Sequence, residues 1–117
     1  MTSFEREGKV SIWVFRKAEN PEDAEKDVLK EFCGVDYYDS DLQEGMSCIE
    51  PAPLASILGD LSYSESFIDA VLAAARKQDI EDVFGVLAQF NFEYDASKAS
   101  RPISDDPQFV GAFDWHD

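Results

Sequence analysis

Histidine is nearly absent: His116, next to last in 117 residues, is the only one. A lone histidine at a chain end, where backbone frays, withholds the side chain used most often for general acid–base work and for activating nucleophiles. Cysteine is almost as scarce. Cys33 and Cys48 are the only two, too few for a disulfide framework. No glycine-rich phosphate loop, HExxH pair or Cys/His metal spacing occurs, which removes the common nucleotide and zinc chemistries. No apolar run approaches the ~18 residues of a membrane-spanning helix, and no leader-peptide pattern is present. The expectation is a cytoplasmic protein with two reduced thiols and no cofactor.

The largest deficit is of positive charge. Twenty-five Asp and Glu face ten Lys and Arg, for a formal net charge of −15. Residues 31–70 hold nine acids and no base, and the next base after Lys30 is Arg76. Such a chain repels nucleic-acid phosphates and anionic membranes and attracts basic proteins. A net magnitude of roughly 2–8 already keeps a small domain soluble. The excess costs stability through self-repulsion, which a basic partner relieves.

What is present suffices for one core. Hydrophobic residues make up 44% of the chain and aromatics 13%, as in a globular domain, and the length fits a single domain over 1–117. Lys9 to Arg16 reads as a strand in which Val10, Ile12 and Val14 alternate with Ser11, Trp13 and Phe15. Both sets are largely apolar, so both faces should be covered. Asn20-Pro21-Glu22-Asp23 has a capping residue, a first-turn proline and acids at the positive end of a helix dipole. Ala24, Val28, Leu29 and Phe32 continue at helical spacing, with Cys33 as a core filler and Gly34 as terminator. Leu54, Ile57, Leu58 and Leu61 suggest a short helix. Ser62 and Glu65 have capping-box spacing, with Ser64 as a competing cap, before the stripe Phe67, Ile68, Val71, Leu72 and Ala75. Val83 to Tyr94 and Phe109 to Trp115 read as strands, pairing as a hairpin. The predicted fold is α+β: a small, mostly antiparallel sheet of about three strands, in the order strand-helix-helix-strand-strand, packed with two main helices. Trp13, Trp115, Phe90, Phe92 and Phe113 are assigned to the core.

The segment from Val35 to Glu50 shows no clear period and carries Asp36, Tyr37, Tyr38, Asp39, Asp41 and Glu44. It superficially resembles a calcium loop starting at Asp39, with Asp41 third and Glu50 twelfth, but Glu44 stands sixth, where the sharp turn needs glycine. As a recognition surface it is well composed. Tyrosines give large contact area at low entropy cost, and carboxylates around them pair with Lys or Arg. Glu65, Glu93 and Asp95 are further candidates for this acidic partner-binding surface. No catalytic residue and no metal ligand is assigned.

Five stretches occur in a suggestive order: Ile12-Trp13-Val14, Gly34-Val35-Asp36-Tyr37-Tyr38-Asp39, Ser62-Tyr63-Ser64-Glu65-Ser66-Phe67, Asn91-Phe92-Glu93-Tyr94-Asp95, and Gly111-Ala112-Phe113-Asp114. Together they resemble the immunity protein 22 family of bacterial polymorphic toxin systems, over about Val10 to Trp115. The resemblance implies a non-enzymatic antidote without cofactor, whose partner is a cognate toxin C-terminal domain, often a nuclease. Nucleases hold phosphates in basic clefts, which an acidic antidote can fill or flank. Two other classes fit the composition: a nucleic-acid mimic that inhibits a DNA-binding enzyme, and a small carboxylate-based hydrolase.

Overall fold

The computed structural model describes residues 4–18, 26–99 and 102–116. Four strands, β1 (Glu5–Phe15), β2 (Gln43–Pro53), β3 (Asp82–Phe92) and β4 (Gln108–Asp114), form one antiparallel sheet in the order β2-β3-β1-β4. Among the described residues three α-helices accompany it: α1 (Val28–Phe32), α2 (Leu54–Leu58) and α3 (Ile68–Lys77). The α+β class is as predicted. No helix among the described residues is long and apolar enough to cross a membrane.

β1 organises the sheet because it is apolar on both sides. Val10, Ile12 and Val14 face a core built with α2 and α3, through Leu54, Ile57, Leu58, Leu61, Phe67, Val71 and Ala75. Trp13 faces a second core with Phe4, Leu29, Cys33, Val35, Leu87, Phe92 and Tyr94. Burial of such side chains contributes about 1.5–3 kcal/mol each relative to exposure.

The alternation in β3 breaks where the sequence looks regular. Val86, Ala88 and Phe90 point into the first core, whereas Phe92 and Tyr94 belong to the second. The reason is Asn91, which lies in the left-handed region at φ 54, a conformation asparagine tolerates better than most residues. Its Oδ1 accepts the N–H of Gly8, itself at φ 82, at 3.0 Å. The pairing of β1 with β3 jumps across this point, from Val10↔Phe90 to Glu5↔Phe92. Fully buried Ser11 bridges the break. Its hydroxyl donates to the Phe92 carbonyl at 2.7 Å and accepts the Tyr94 N–H at 2.9 Å. β4 has a similar irregularity between its pairs with Ile12 and Trp13. Phe109 therefore lies against Trp13, tilted to it, in the second core, while Phe113 and Trp115 pack on the first.

Several expectations are corrected. The sheet has four strands, not three, because the segment read as irregular contains β2. Its two prolines, Pro51 and Pro53, sit on an edge strand, where a missing N–H is tolerated. The last two strands do not form a hairpin, since β1 lies between them. The predicted start at Asn20 to Asp23, with Ala24, lies outside the described residues. Asp27 is extended at ψ 110 and caps α1 by accepting the Lys30 N–H, so α1 begins there. Ser62 and Glu65 make no capping box. A 3-10 turn at Ser64–Ser66 precedes α3, whose cap position is Phe67. Gly34 does take the left-handed position, at φ 69.

Removing the Ser11 hydroxyl strands a buried carbonyl and a buried N–H. Ser11→Ala is expected to lower the unfolding free energy by about 1–3 kcal/mol in urea denaturation. An unchanged midpoint would mean the bend in β3 is held without it.

Candidate partner-binding surface

The acidic segment emerges from the second core. Val35 is fully buried and its N–H returns to the Leu29 carbonyl at 3.1 Å. Asp36 and Tyr37 follow on the surface, Tyr37 at 58% exposure. Tyr38 turns inward against the second core and donates its hydroxyl to Asp27 Oδ2 at 2.6 Å. Burial, and then the Asp27 carboxylate beside it, push the Tyr38 phenol up to about 12. Asp39 is fixed twice. Its carboxylate accepts the Asp41 N–H at 3.0 Å, and its carbonyl accepts Nε2 of buried Gln89 at 2.7 Å. Gln89 Oε1 in turn accepts from Gln43 at 3.3 Å. Asp41 is exposed in a 3-10 turn, Ser40–Leu42. Glu44, on β2, accepts the Ser62 N–H at 2.9 Å. That bond ties the segment to the turn carrying exposed Glu65.

Asp36, Tyr37, Tyr38, Asp39, Asp41 and Glu44 thus form one pinned stretch. Asp36, Tyr37 and Asp41 are its exposed side chains; Tyr38, Asp39 and Glu44 hold the shape. Glu93 and Asp95 have a different setting. They line a cleft of about 580 Å³ with Phe4, Glu5, Arg6, Tyr94, Ala96, Lys98 and Phe109. Arg6 pairs with Glu93 at 2.9 Å. Asp95 accepts the Ser97 N–H at 2.9 Å and its hydroxyl at 2.6 Å, which hold its carboxyl below the usual range. That cleft carries both signs of charge, unlike the stretch at 36–44.

Sequence reasoning missed Tyr63 as a surface feature. It is left-handed at φ 57 and half exposed, an uncommon state for a bulky residue. Its ring lies 5.1 Å from Trp115 and 6.2 Å, edge-on, from Phe90. It stands between the Glu44–Ser62 bond and Glu65. The only signal in the sequence was an aromatic inside an apparent capping box, and that pattern hides a left-handed residue.

No family model, no curated protein and no solved structure matches the chain. Its chemistry is therefore read from its own side chains. Among the described residues no group of three or more His, Cys, Asp or Glu is placed to hold a metal ion. The calcium-loop geometry is not formed, since Glu44 bonds the Ser62 N–H and Glu50 lies exposed on β2. Cys33 is fully buried, and burial, with Asp27, pushes its thiol up to about 12, away from the thiolate a nucleophile needs. His116 is exposed and gives its backbone N–H to the Ser66 hydroxyl at 3.0 Å.

These shifts couple the stability of the fold to alkaline pH. Tyr38 and Tyr94 are both raised from 10.0 to about 12, and Cys33 from 9.0 to about 12. Groups raised above their unfolded values contribute stability that is full below those values and lost as pH rises through the folded ones. Urea midpoints are expected to hold up to about pH 9 and fall between pH 9 and 12. Tyr94→Phe should flatten the upper part of that fall. A fall with no change in Tyr94→Phe would assign it to other groups.

Proposed function

We propose that this chain is a cytoplasmic immunity protein, of the kind its motif order resembles, that binds and neutralises a basic, nuclease-type toxin domain. The observation that carries the reading is the pinned acidic stretch. Nine acids and no base occupy residues 31–70, and hydrogen bonds from Tyr38, Gln89, Asp41 and Ser62 hold part of that run in one conformation. Holding like charges together costs stability that a cationic partner returns. A stretch already ordered loses little entropy on binding.

The division of labour follows from exposure. Asp41 and its neighbours attract and orient a Lys- or Arg-lined cleft, which raises the association rate. Tyr37 supplies a large rigid contact surface, which sets the dissociation rate. The inhibitor covers the toxin's phosphate-binding groove or flanks it, so the toxin loses its substrate without any reaction on this chain.

The decisive experiment is a titration against the toxin domain encoded beside this gene, at low and high salt. Tight binding that weakens with salt supports the reading. No binding, with inhibition of several unrelated DNA-binding proteins instead, would replace it with a nucleic-acid mimic. Asp41→Lys is expected to slow association and reduce its salt dependence. Tyr37→Ala is expected to speed dissociation by about tenfold, equivalent to about 1.4 kcal/mol. Surface plasmon resonance reads both. Unchanged kinetics in both variants would move the contact away from 36–44.

A further inference from the structure

The two edges of the sheet are finished differently. At β4 the outward carbonyl of Val110 accepts Nε2 of Gln78, from the end of α3, at 2.9 Å. That edge is seven residues long and is plugged near its middle. β2 is eleven residues long, and among the described residues no strand lies beyond it.

The main-chain groups that β2 offers follow from the register. Trp115 donates to the Gly8 carbonyl, so Gly8, and by alternation Val10 and Ile12, turn their main chain toward β4. Ser11, Trp13 and Phe15 then turn toward β3, and their partners Gln89, Leu87 and Gly85 toward β1. Ala88 and Val86 are left facing β2, where they pair with Glu44 and Met46. Gly45 and Ser47 must therefore direct N–H and C=O away from the sheet, and both residues are exposed. Met46 is 37% exposed, and Ile49, in the unpaired bulge before Ala52, is 97% exposed. Asp41 and Glu44 flank the open groups on one side and Glu50 on the other, within the stretch that has no base.

We propose that the free edge of β2 receives an extended, lysine- or arginine-bearing segment of the partner protein, which adds to the sheet as a fifth strand. Backbone bonds to Gly45 and Ser47 supply affinity whatever the partner's side chains are, as in strand addition generally. Met46 and Ile49 give the added strand apolar contact. Asp41, Glu44 and Glu50 select a basic segment over a neutral one. The same carboxylates disfavour pairing of two copies through this edge, since that would set acids against acids with no base between them. The inference rests on the reading above, that the partner is a basic protein, and adds where and how it docks.

The test uses Ser47→Pro, which deletes an outward N–H and leaves the inward ladder of Glu44 and Met46 intact. Met46 is already extended, as a residue before proline prefers. Ser47→Ala keeps the N–H and is the control. With the toxin domain encoded beside the gene as probe, Ser47→Pro is expected to weaken binding by about tenfold or more, and Ser47→Ala to leave it unchanged. Wild-type binding with an undiminished Ser47→Pro variant would overturn the edge proposal and leave the function standing, whereas no binding by the wild type would sink both. If Ser47→Pro does not fold, amide exchange of the wild-type complex decides. Slowed exchange at Gly45 and Ser47 supports strand addition, and unchanged exchange refutes it. A concentration-dependent dimer of the free chain, abolished in Ser47→Pro, would give the edge to a second copy and overturn the proposal.

Discussion

The Ser11 hydroxyl and the bend it stabilises in β3 are the constraint on which the rest of the structure depends. Without the left-handed step at Asn91, Phe92 would continue the face of Phe90. The second core would then lose two of its aromatic rings. With the step, Phe92 and Tyr94 pack beside Phe4 and Trp13, at ring distances of 5.1 to 5.5 Å. Tyr94 then donates its hydroxyl to the Cys33 carbonyl at 2.6 Å, which fixes the end of α1. Gly34 and Val35 follow at once, and the acidic stretch leaves the core from there. A local backbone irregularity at Asn91 thus sets where the surface at 36–44, far earlier in the chain, is held.

That anchoring answers an electrostatic problem. Exposed like charges spread apart when free to do so, and a base-free stretch has no internal counter-ion. The fold holds part of this stretch in place with neutral donors. Gln89 takes the Asp39 carbonyl, Tyr38 reaches back to Asp27, and the Ser62 N–H takes Glu44. Hydrogen bonds to a carboxylate fix its position without cancelling its charge. The surface therefore keeps its field while losing its freedom, as a preorganised electrostatic partner should.

Much of this was legible in the residues. The doubled apolar pattern of Val10 to Phe15 announced a strand covered on both faces. The stripe from Phe67 to Ala75 gave α3, and Leu54 to Leu61 gave α2. The stretch 36–44 is continuous on the fold, with Asp36, Tyr37 and Asp41 exposed and Tyr38, Asp39 and Glu44 half-buried. Three things were not read. β2 is an edge strand exposed on much of both faces, so it has no apolar alternation, and its prolines mimic a loop. Phe90-Asn91-Phe92 looks like regular alternation, because a left-handed asparagine leaves no mark on composition. Strand order depends on which strand is apolar on both faces and so takes a central place. The pattern in β1 implied that position, but the hairpin expectation overrode it.

The open edge and the acidic charge belong to one arrangement. A long edge strand with an exposed isoleucine is an invitation to uncontrolled pairing, and proteins blunt such edges with charge, proline and bulges. β2 has all three, in Glu44 and Glu50, in Pro51 and Pro53, and in the unpaired residues between Ser47 and Ala52. Yet Gly45 and Ser47 are left bare, and the only charges beside them are negative. Mixed charges would repel every strand weakly and admit none in particular. Charge of one sign disfavours pairing with copies of the same chain and attracts a basic one. The deficit of lysine and arginine that first sets this sequence apart thereby also leaves the open edge strand with charge of one sign beside it.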